Sequence, residues 1–450
     1  MTLTDEARRQ ARDLVASRLG LAFPEARQAD LERGLLRACR TSEAGAPEQY
    51  LAWLATLPDQ SPEWRRLAGH LTVGETYFFR DRALFDALEQ RVFPALIEER
   101  RADGTQRLRL WSAGCATGEE PYSLAIQLDR SLPDHAEWAV TILATDISPV
   151  ALDAARQGCY REWSFRQTPG WIRDRYFHRR TPELFEIDAR LQRMVTLAPL
   201  NLAEDVYPSV VTNTNAMDLI LCRNVLMYFT REAQRAAVAR LERALVDGGW
   251  LAVSPTEASA DLFRAFTAVN FPGVILYRRE ATRAPYLLPS PALVPLEESS
   301  WLEPLPIVPA PSRDTNTTPP DTVSDLARAR TLADRGDLEE AARLCEAALA
   351  RDRLDPEAHL LFAAVCQERG QTSAAVEALR RAIYLAPDSA PAHFLLGSLL
   401  LRQGKRTQGR RSMETVVGLL SPLPRDMALA GGDGLTAGRL LETARAYLEP

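Results

Sequence analysis

An apolar run that ends in a glycine turn and leads straight into a helix constrains this chain more than any other feature. Leu108, Leu110 and Trp111 read as a short buried strand, and Pro121 suits the first turn of a helix through Leu124, Ala125 and Leu128. Between them, Gly114 and Gly118 permit a tight turn and a close backbone approach, as in a nucleotide cradle. The loop has no Lys-Ser/Thr of a phosphate-binding P-loop. Its acidic pair, Glu119 and Glu120, stands where a phosphate chain would be repelled, so a cationic or uncharged nucleoside ligand fits better. S-adenosylmethionine, with its ammonium and sulfonium, is such a ligand. A glycine turn after a strand is also an ordinary structural device, and at this point both readings stand.

On either side of this stretch the pattern alternates. Helical periodicity over Leu84 to Arg100, Pro121 to Arg130, Pro149 to Gln157 and Arg231 to Leu245 is interleaved with apolar strand runs at Leu108 to Ala113, Val140 to Ala144, Asp218 to Cys222 and Leu251 to Ser254. Asp247-Gly-Gly-Trp250 reads as a turn. Such alternation predicts an α/β fold with a mostly parallel sheet that binds ligands at the carboxyl ends of its strands. The alternation breaks between Gly158 and Asn201, where short charged and aromatic segments, Met194-Val-Thr-Leu197 among them, suggest a small antiparallel insert over about 158–200. Ahead of the α/β region, residues 1–75 read as helical, with apolar spacing over Ala7 to Leu19, Gln28 to Arg40, Pro47 to Thr56 and Pro62 to Leu71. Arg33, Arg37 and Arg40 share one face of the second helix, which is either a solvated basic face or a dock for an acidic partner helix.

Behind the α/β region, taken as 76–280, residues 281–321 are proline-dense and read as an extended linker. A repeat follows over 322–450. Gly336, Gly370 and Gly404 are spaced 34 residues apart, Ala358-His359 returns as Ala392-His393, and small residues recur at Ala341, Ala375 and Gly409. A 34-residue period with glycine between two amphipathic helices is the tetratricopeptide signature, and Leu435 to Leu448 would form a capping helix.

The formal charge of −6, with no dense Lys/Arg block, argues against nucleic acid as a partner. The six cysteines are scattered without metal-ligand spacing and read as reduced and buried; no metal is expected. No apolar leader opens the chain and no long apolar run crosses it, so a cytoplasmic protein without direct membrane insertion is expected.

Two further stretches carry chemistry. Val140 to Asp146 places a carboxylate at the end of the second strand, where it can accept both hydroxyls of a ribose or cap the helix beginning at Pro149. Asp218 to Phe229 ends its strand in Arg223-Asn224 and sets Tyr228 one turn beyond; an ion pair, a cap and an interfacial aromatic are the structural alternatives.

Together with Thr76-Tyr-Phe-Phe-Arg80 and Pro199-Leu-Asn-Leu202, these motifs stand in an order that closely resembles the chemoreceptor glutamate O-methyltransferases, the CheR family. The appended repeats resemble those of the Wsp-type subclass. The resemblance implies a class I S-adenosylmethionine-dependent methyltransferase, Rossmann-like, with a helical N-terminal domain, an inserted β-subdomain and a tetratricopeptide array. It implies that Thr76, Arg80, Gly114, Glu120, Asp146, Asn201, Leu202, Arg223 and Asn224 line the S-adenosylmethionine site, with Arg80 and Tyr228 nearest the transferred methyl. The substrate would be glutamates on the cytoplasmic helices of a methyl-accepting chemoreceptor, and the repeats would bind protein partners. Two positions depart from the family: Gly74 stands where an Asn is frequent, and Arg179 to Phe185 lacks the glycine of a receptor-pentapeptide loop. An inactive scaffold held by its repeats, or a methyltransferase for small molecules or nucleic acid, are the alternatives.

Overall fold

The computed structural model describes residues 3–280 and 322–448 apart from 43, 59, 60, 135, 136 and 433, so the proline-dense stretch 281–321 lies outside the described residues. Four helices come first: α1 (Asp5–Leu19), α2 (Gln28–Arg40), α3 (Pro47–Thr56) and α4 (Pro62–Leu71). Thr4 caps α1 by accepting the Ala7 amide, which starts the helix at Asp5, and Gly20 stops it with φ +70°. Ala7, Ala11, Val15 and Leu19 make its buried stripe.

Helices α5 (Arg82–Ala87) and α6 (Phe93–Ala102) bracket a π-helical turn, Leu88–Val92. The periodicity there predicts one helix. Pro94 has no N–H to offer the Gln90 carbonyl, and the widened turn absorbs that loss. Strand β1 (Arg107–Ala113) follows, then α7 (Glu119–Ser131), β2 (Ala139–Asp146) and α8 (Pro149–Gln157). The insert is built from β3 (Cys159–Arg161), α9 (Gly170–Tyr176), β4 (Phe177–Thr181), β5 (Leu184–Ile187) and α10 (Ala189–Gln192). The sheet resumes with β6 (Val195–Pro199), β7 (Met217–Leu221), α11 (Arg231–Ala244), β8 (Leu245–Ala252), β9 (Phe266–Phe271) and β10 (Val274–Arg279).

The main sheet runs β6-β2-β1-β7-β8-β10-β9, with β3-β5-β4 as a separate sheet. Strands β6, β2, β1, β7 and β8 are parallel, while β10 pairs antiparallel with both β8 and β9. The fold is thus mixed α/β with a seven-stranded, mostly parallel sheet. Two local readings are corrected. Val195–Pro199 is not part of the insert: it pairs in register with Ile142–Asp146 as an edge strand of the main sheet. Asp247 to Trp250 is not a connecting turn either, because β8 runs through it, with Gly248 at φ +79° and a register shift opposite Met217 and Leu219.

After the linker come α12 (Thr322–Arg335), α13 (Leu338–Arg351), α14 (Pro356–Glu368), α15 (Thr372–Leu385), α16 (Ala390–Arg402), α17 (Arg406–Leu420) and α18 (Ala437–Leu448). Gly336, Gly370 and Gly404 all take positive φ at the end of the first helix of a pair. At the small position Gly409, a Cβ would come within 2.6 Å of Leu401, which fixes how closely α16 and α17 cross. The array packs directly on the α/β domain: Val210 joins the apolar core of α12 to α16, and Val211 the core that includes Phe394, Leu440 and Leu441.

Candidate active site

At the carboxyl ends of the parallel strands lies a cavity of about 840 Å³. It is bounded by the glycine loop after β1, the end of β2, the segment after β6, the segment after β7, and the chain between α4 and α5. Thr76, Arg80, Gly114, Glu120, Asp146, Asn201, Leu202, Arg223, Asn224 and Tyr228 all line it. The structure therefore brings every sequence-predicted site residue to one place.

The glycine loop is shaped by its neighbours. Gly114 and Cys115 donate their amides to the Thr145 carbonyl at 2.8 and 2.9 Å, and Asp146 accepts the Ala116 amide at 2.9 Å and the Ser148 amide at 2.9 Å. Burial pushes the Asp146 carboxyl above the ordinary aspartate range, against the pull of those amide donors. Gly114 has φ +88°, and a Cβ there would lie 2.3 Å from Val225 Cγ2, so the loops after β1 and β7 touch only because this residue is glycine.

The two glutamates of the loop part company. Glu120 faces the cavity, accepting the Ser112 hydroxyl at 2.7 Å and an Arg223 N–H at 3.0 Å. Glu119 is buried instead, accepting the Thr117 hydroxyl at 2.6 Å and the Ser164 hydroxyl at 2.9 Å, which joins the glycine loop to the insert. Burial raises its carboxyl above the usual range. Of the pair only Glu120 faces the cavity, where Asp146 is the other carboxylate on the wall. Arg223, its side chain only 3% exposed, also reaches Asp81 at 3.4 Å.

Arg80 sits between two non-glycine residues of positive φ, Phe79 (+55°) and Asp81 (+72°). Strain of this kind persists only where surroundings over-determine it. Here Phe79 donates its amide to the Ser123 hydroxyl at 2.9 Å and Phe78 is packed among Tyr160, Phe165 and Phe177. The Arg80 guanidinium donates to the Glu75 carbonyl at 2.5 Å. Tyr228 is fixed by its carbonyl, which accepts the Ala22 amide at 2.7 Å, and by Arg27, whose guanidinium carbon lies 5.0 Å from its ring centroid.

Two residues escaped the sequence reading. Arg27 belongs to a short turn before α2 and nothing in its neighbourhood signals Tyr228. Glu257 is buried and accepts the amides of Asn224 and Val225 at 2.7 Å each, Met227 at 3.2 Å and Ser254 at 3.0 Å. Its signal was a lone acidic residue just beyond β8, too weak to single out. Among the described residues no cluster of His, Cys, Asp and Glu could hold a metal ion.

S-adenosylmethionine fits this donor set. The cavity lies within the roughly 300–1,000 Å³ of small-molecule sites. Glu120 and Asp146 on its wall suit a cation and oppose a phosphate. Asn201 turns its amide oxygen to the Ala203 amide at 3.0 Å, leaving Nδ2 buried with no partner at the cavity, a donor that a ligand nitrogen or oxygen would satisfy. The residues fit the group.

Comparison with known proteins gives the same answer. Residues 74–273 match the CheR methyltransferase, SAM binding domain, and residues 332–399 match a tetratricopeptide repeat. The chain is similar to chemotaxis protein methyltransferase 1 of Pseudomonas aeruginosa, 36% identical over 213 residues that cover 46% of this chain and 74% of the relative. It is similar to a probable chemotaxis protein methyltransferase of Rhizobium etli, 32% identical, covering 50% of this chain and 82% of that one. Similarity to the probable biofilm formation methyltransferase WspC of Pseudomonas aeruginosa extends through the repeats, at 29% identity over 88% of this chain and 95% of that one. With the cavity, its donor set and these relatives in hand, the chain belongs to the CheR family of S-adenosylmethionine-dependent chemotaxis methyltransferases and carries a C-terminal tetratricopeptide array.

Proposed function

We propose that this chain methylates glutamate side chains on the cytoplasmic helices of a methyl-accepting chemoreceptor, forming glutamate methyl esters. The convergence of ten residues from five separate stretches on one cavity carries the reading. When bound, S-adenosylmethionine supplies an electrophilic methyl carbon on a sulfonium, open to in-line attack. In this reading Asp146 would accept the ribose hydroxyls, Asn201 and Leu202 would hold the base, and Glu120 would meet the cationic end of the donor. Glu120 is itself paired with Arg223, which limits how strongly it can hold a ligand cation.

A glutamate carboxylate, with an ordinary pKa of about 4.3, is already ionised near neutral pH. No general base is needed for such a nucleophile. Catalysis then falls to positioning. Arg80 orients the entering carboxylate and Tyr228 hydrogen-bonds it; full neutralisation by Arg80 would weaken the nucleophile. The ester removes one negative charge from a receptor helix, a change that helix packing can read as a signal.

Incubation with radiolabelled donor and the cytoplasmic fragment of the cognate receptor tests the reading. Label released as methanol by mild base, and lost in Arg80→Ala, supports it. Label that is stable to base, or absent although the donor binds, overturns it. The scaffold alternative differs earlier, since it predicts no heat of donor binding in calorimetry.

A further inference from the structure

The segment between β6 and β7 leaves the cavity at Asn201 and Leu202 and then runs into the repeat array. Val210 and Val211 are buried in the array's own cores, and Asn215 donates its Nδ2 to Glu368, at the end of α14, at 2.7 Å. Glu368 is 4% exposed and also takes Arg107 of β1 at 3.3 Å. Arg109, equally buried, donates to the carbonyls of Asn213 and Asn215 at 3.1 and 3.0 Å. At the far end Arg439 of α18 pairs with Glu204, and Glu442 with Arg65 of α4. Among the described residues a narrow cleft of about 50 Å³ lies between α14, α16 and α18 on one side and β2, β6 and residues 211–214 on the other. The face built from the first helices of each pair, the face with which such arrays grip extended segments, is thus already filled.

The same segment shapes the cavity. Glu204 donates its amide to the Asn201 carbonyl at 3.1 Å, and the Leu202 carbonyl accepts Tyr207 Oη at 2.9 Å and Arg240 at 2.9 Å. Two polar contacts, Arg439 with Glu204 and the Glu204 amide with the Asn201 carbonyl, therefore link the array to the cavity wall.

We propose that the inner face of the array is a docking surface for this chain's own residues 207–215, and that this docking holds the Asn201–Glu204 corner of the methyl-donor cavity in place. The array then acts on the donor site itself, and an outside partner reaches that site by loosening or tightening the dock. The proposal rests on the reading of the cavity as the donor site. A buried carboxylate with two donors, both from the other domain, is costly to separate, whereas a tethered recruiting module would keep its groove free.

The test uses the full chain with a specific protease site placed in 281–321. After cleavage, the two pieces are expected to co-elute on gel filtration at low micromolar concentration; separation would overturn the dock, because without the tether only the interface can hold them. In the uncut chain, Arg439→Gln is expected to weaken S-adenosylhomocysteine binding by about tenfold in calorimetry, within the usual range of coupling between sites. Glu368→Gln, which keeps shape and loses charge, is expected to do the same and to let the cut pieces separate. Tyr384→Ala, on the exposed outer face, should leave affinity unchanged. Unchanged affinity in both Arg439→Gln and Glu368→Gln, with a wild-type melting curve, would overturn the coupling. A wild-type chain that fails to bind S-adenosylhomocysteine would instead overturn the donor-site reading on which it rests.

Discussion

Arg223 stands between Glu120 at 3.0 Å and Asp81 at 3.4 Å, almost wholly out of water. Taking away one partner of a buried pair costs about 3–5 kcal/mol, because the remaining charge is left without compensation. Arg223→Met is therefore expected to destabilise the chain by that order in chemical denaturation, and Glu120→Gln added to it should recover part of the loss. Equal loss in the single and double variants would show that the pair does not act as a unit. Asp146 titrates in the opposite sense from a paired carboxylate. Burial raises its folded pKa above the unfolded one, so without ligand its charge opposes folding and stability falls as pH rises through the window between the two. In the proposed reading the ribose hydroxyls donate to the ionised carboxylate, so donor affinity should weaken as pH falls through that raised pKa, above the range where a free aspartate protonates. Asp146→Asn should abolish this pH dependence as well as weakening binding, as calorimetry across the acidic range would read.

At the level of elements, the loop from Arg223 to Tyr228 is held by a side chain from elsewhere. Glu257 gathers three of its backbone amides, and Asn224 takes φ +58° within that grip. Hydrogen bonds to a charged group contribute about 1.5–3 kcal/mol each where buried. Glu257→Gln replaces an acceptor oxygen by a donor facing amides, and should lower the methyl-transfer rate by at least tenfold while Glu257→Asp retains part of it; equal activity in the wild type and Glu257→Gln would dismiss the role. Sequence could not announce this residue, because its partners are backbone amides some thirty positions away. The same limit explains the other differences. The apolar periods of α1 to α4, β1, β2 and β7 are local signals and were legible, as was the glycine turn at Gly114. The local pattern puts Val195–Pro199 in the insert, because its place beside β2 depends on a parallel pairing with no local mark. Gly248-Gly249 looks like a turn in sequence because a bulge within a strand uses the same residues. Glu119 and Glu120 look alike in sequence, and only the helix start decides which one meets the cavity.

Across the whole molecule, the basic face of α2 and the cavity meet. Arg33, Arg37 and Arg40 are exposed, while Arg66 and His70 of α4 line the cavity mouth. His70 is pushed below the ordinary histidine range by burial first, then by Arg37 and Arg66, so it stays neutral where an exposed histidine would begin to charge. Arg33 pairs with Asp30 and Arg66 with Glu63, which leaves Arg37 and Arg40 as the patch's exposed cations; on the proposed function they would suit an acidic helix bringing a glutamate to the methyl. Interactions of exposed charges fade over a Debye length of about 8 Å at physiological salt. Methyl transfer to the receptor fragment should therefore slow as salt rises, through KM and not through the turnover number. Arg37→Glu should raise KM for the receptor about tenfold, a loss of about 1.4 kcal/mol, with S-adenosylhomocysteine affinity unchanged because Arg37 does not line the cavity. Steady-state kinetics at two salt concentrations, beside calorimetry on the same variant, separates the two effects: a KM indifferent to both salt and Arg37→Glu would remove α2 from the substrate path and leave the cavity mouth at Arg66 and His70 as the remaining approach.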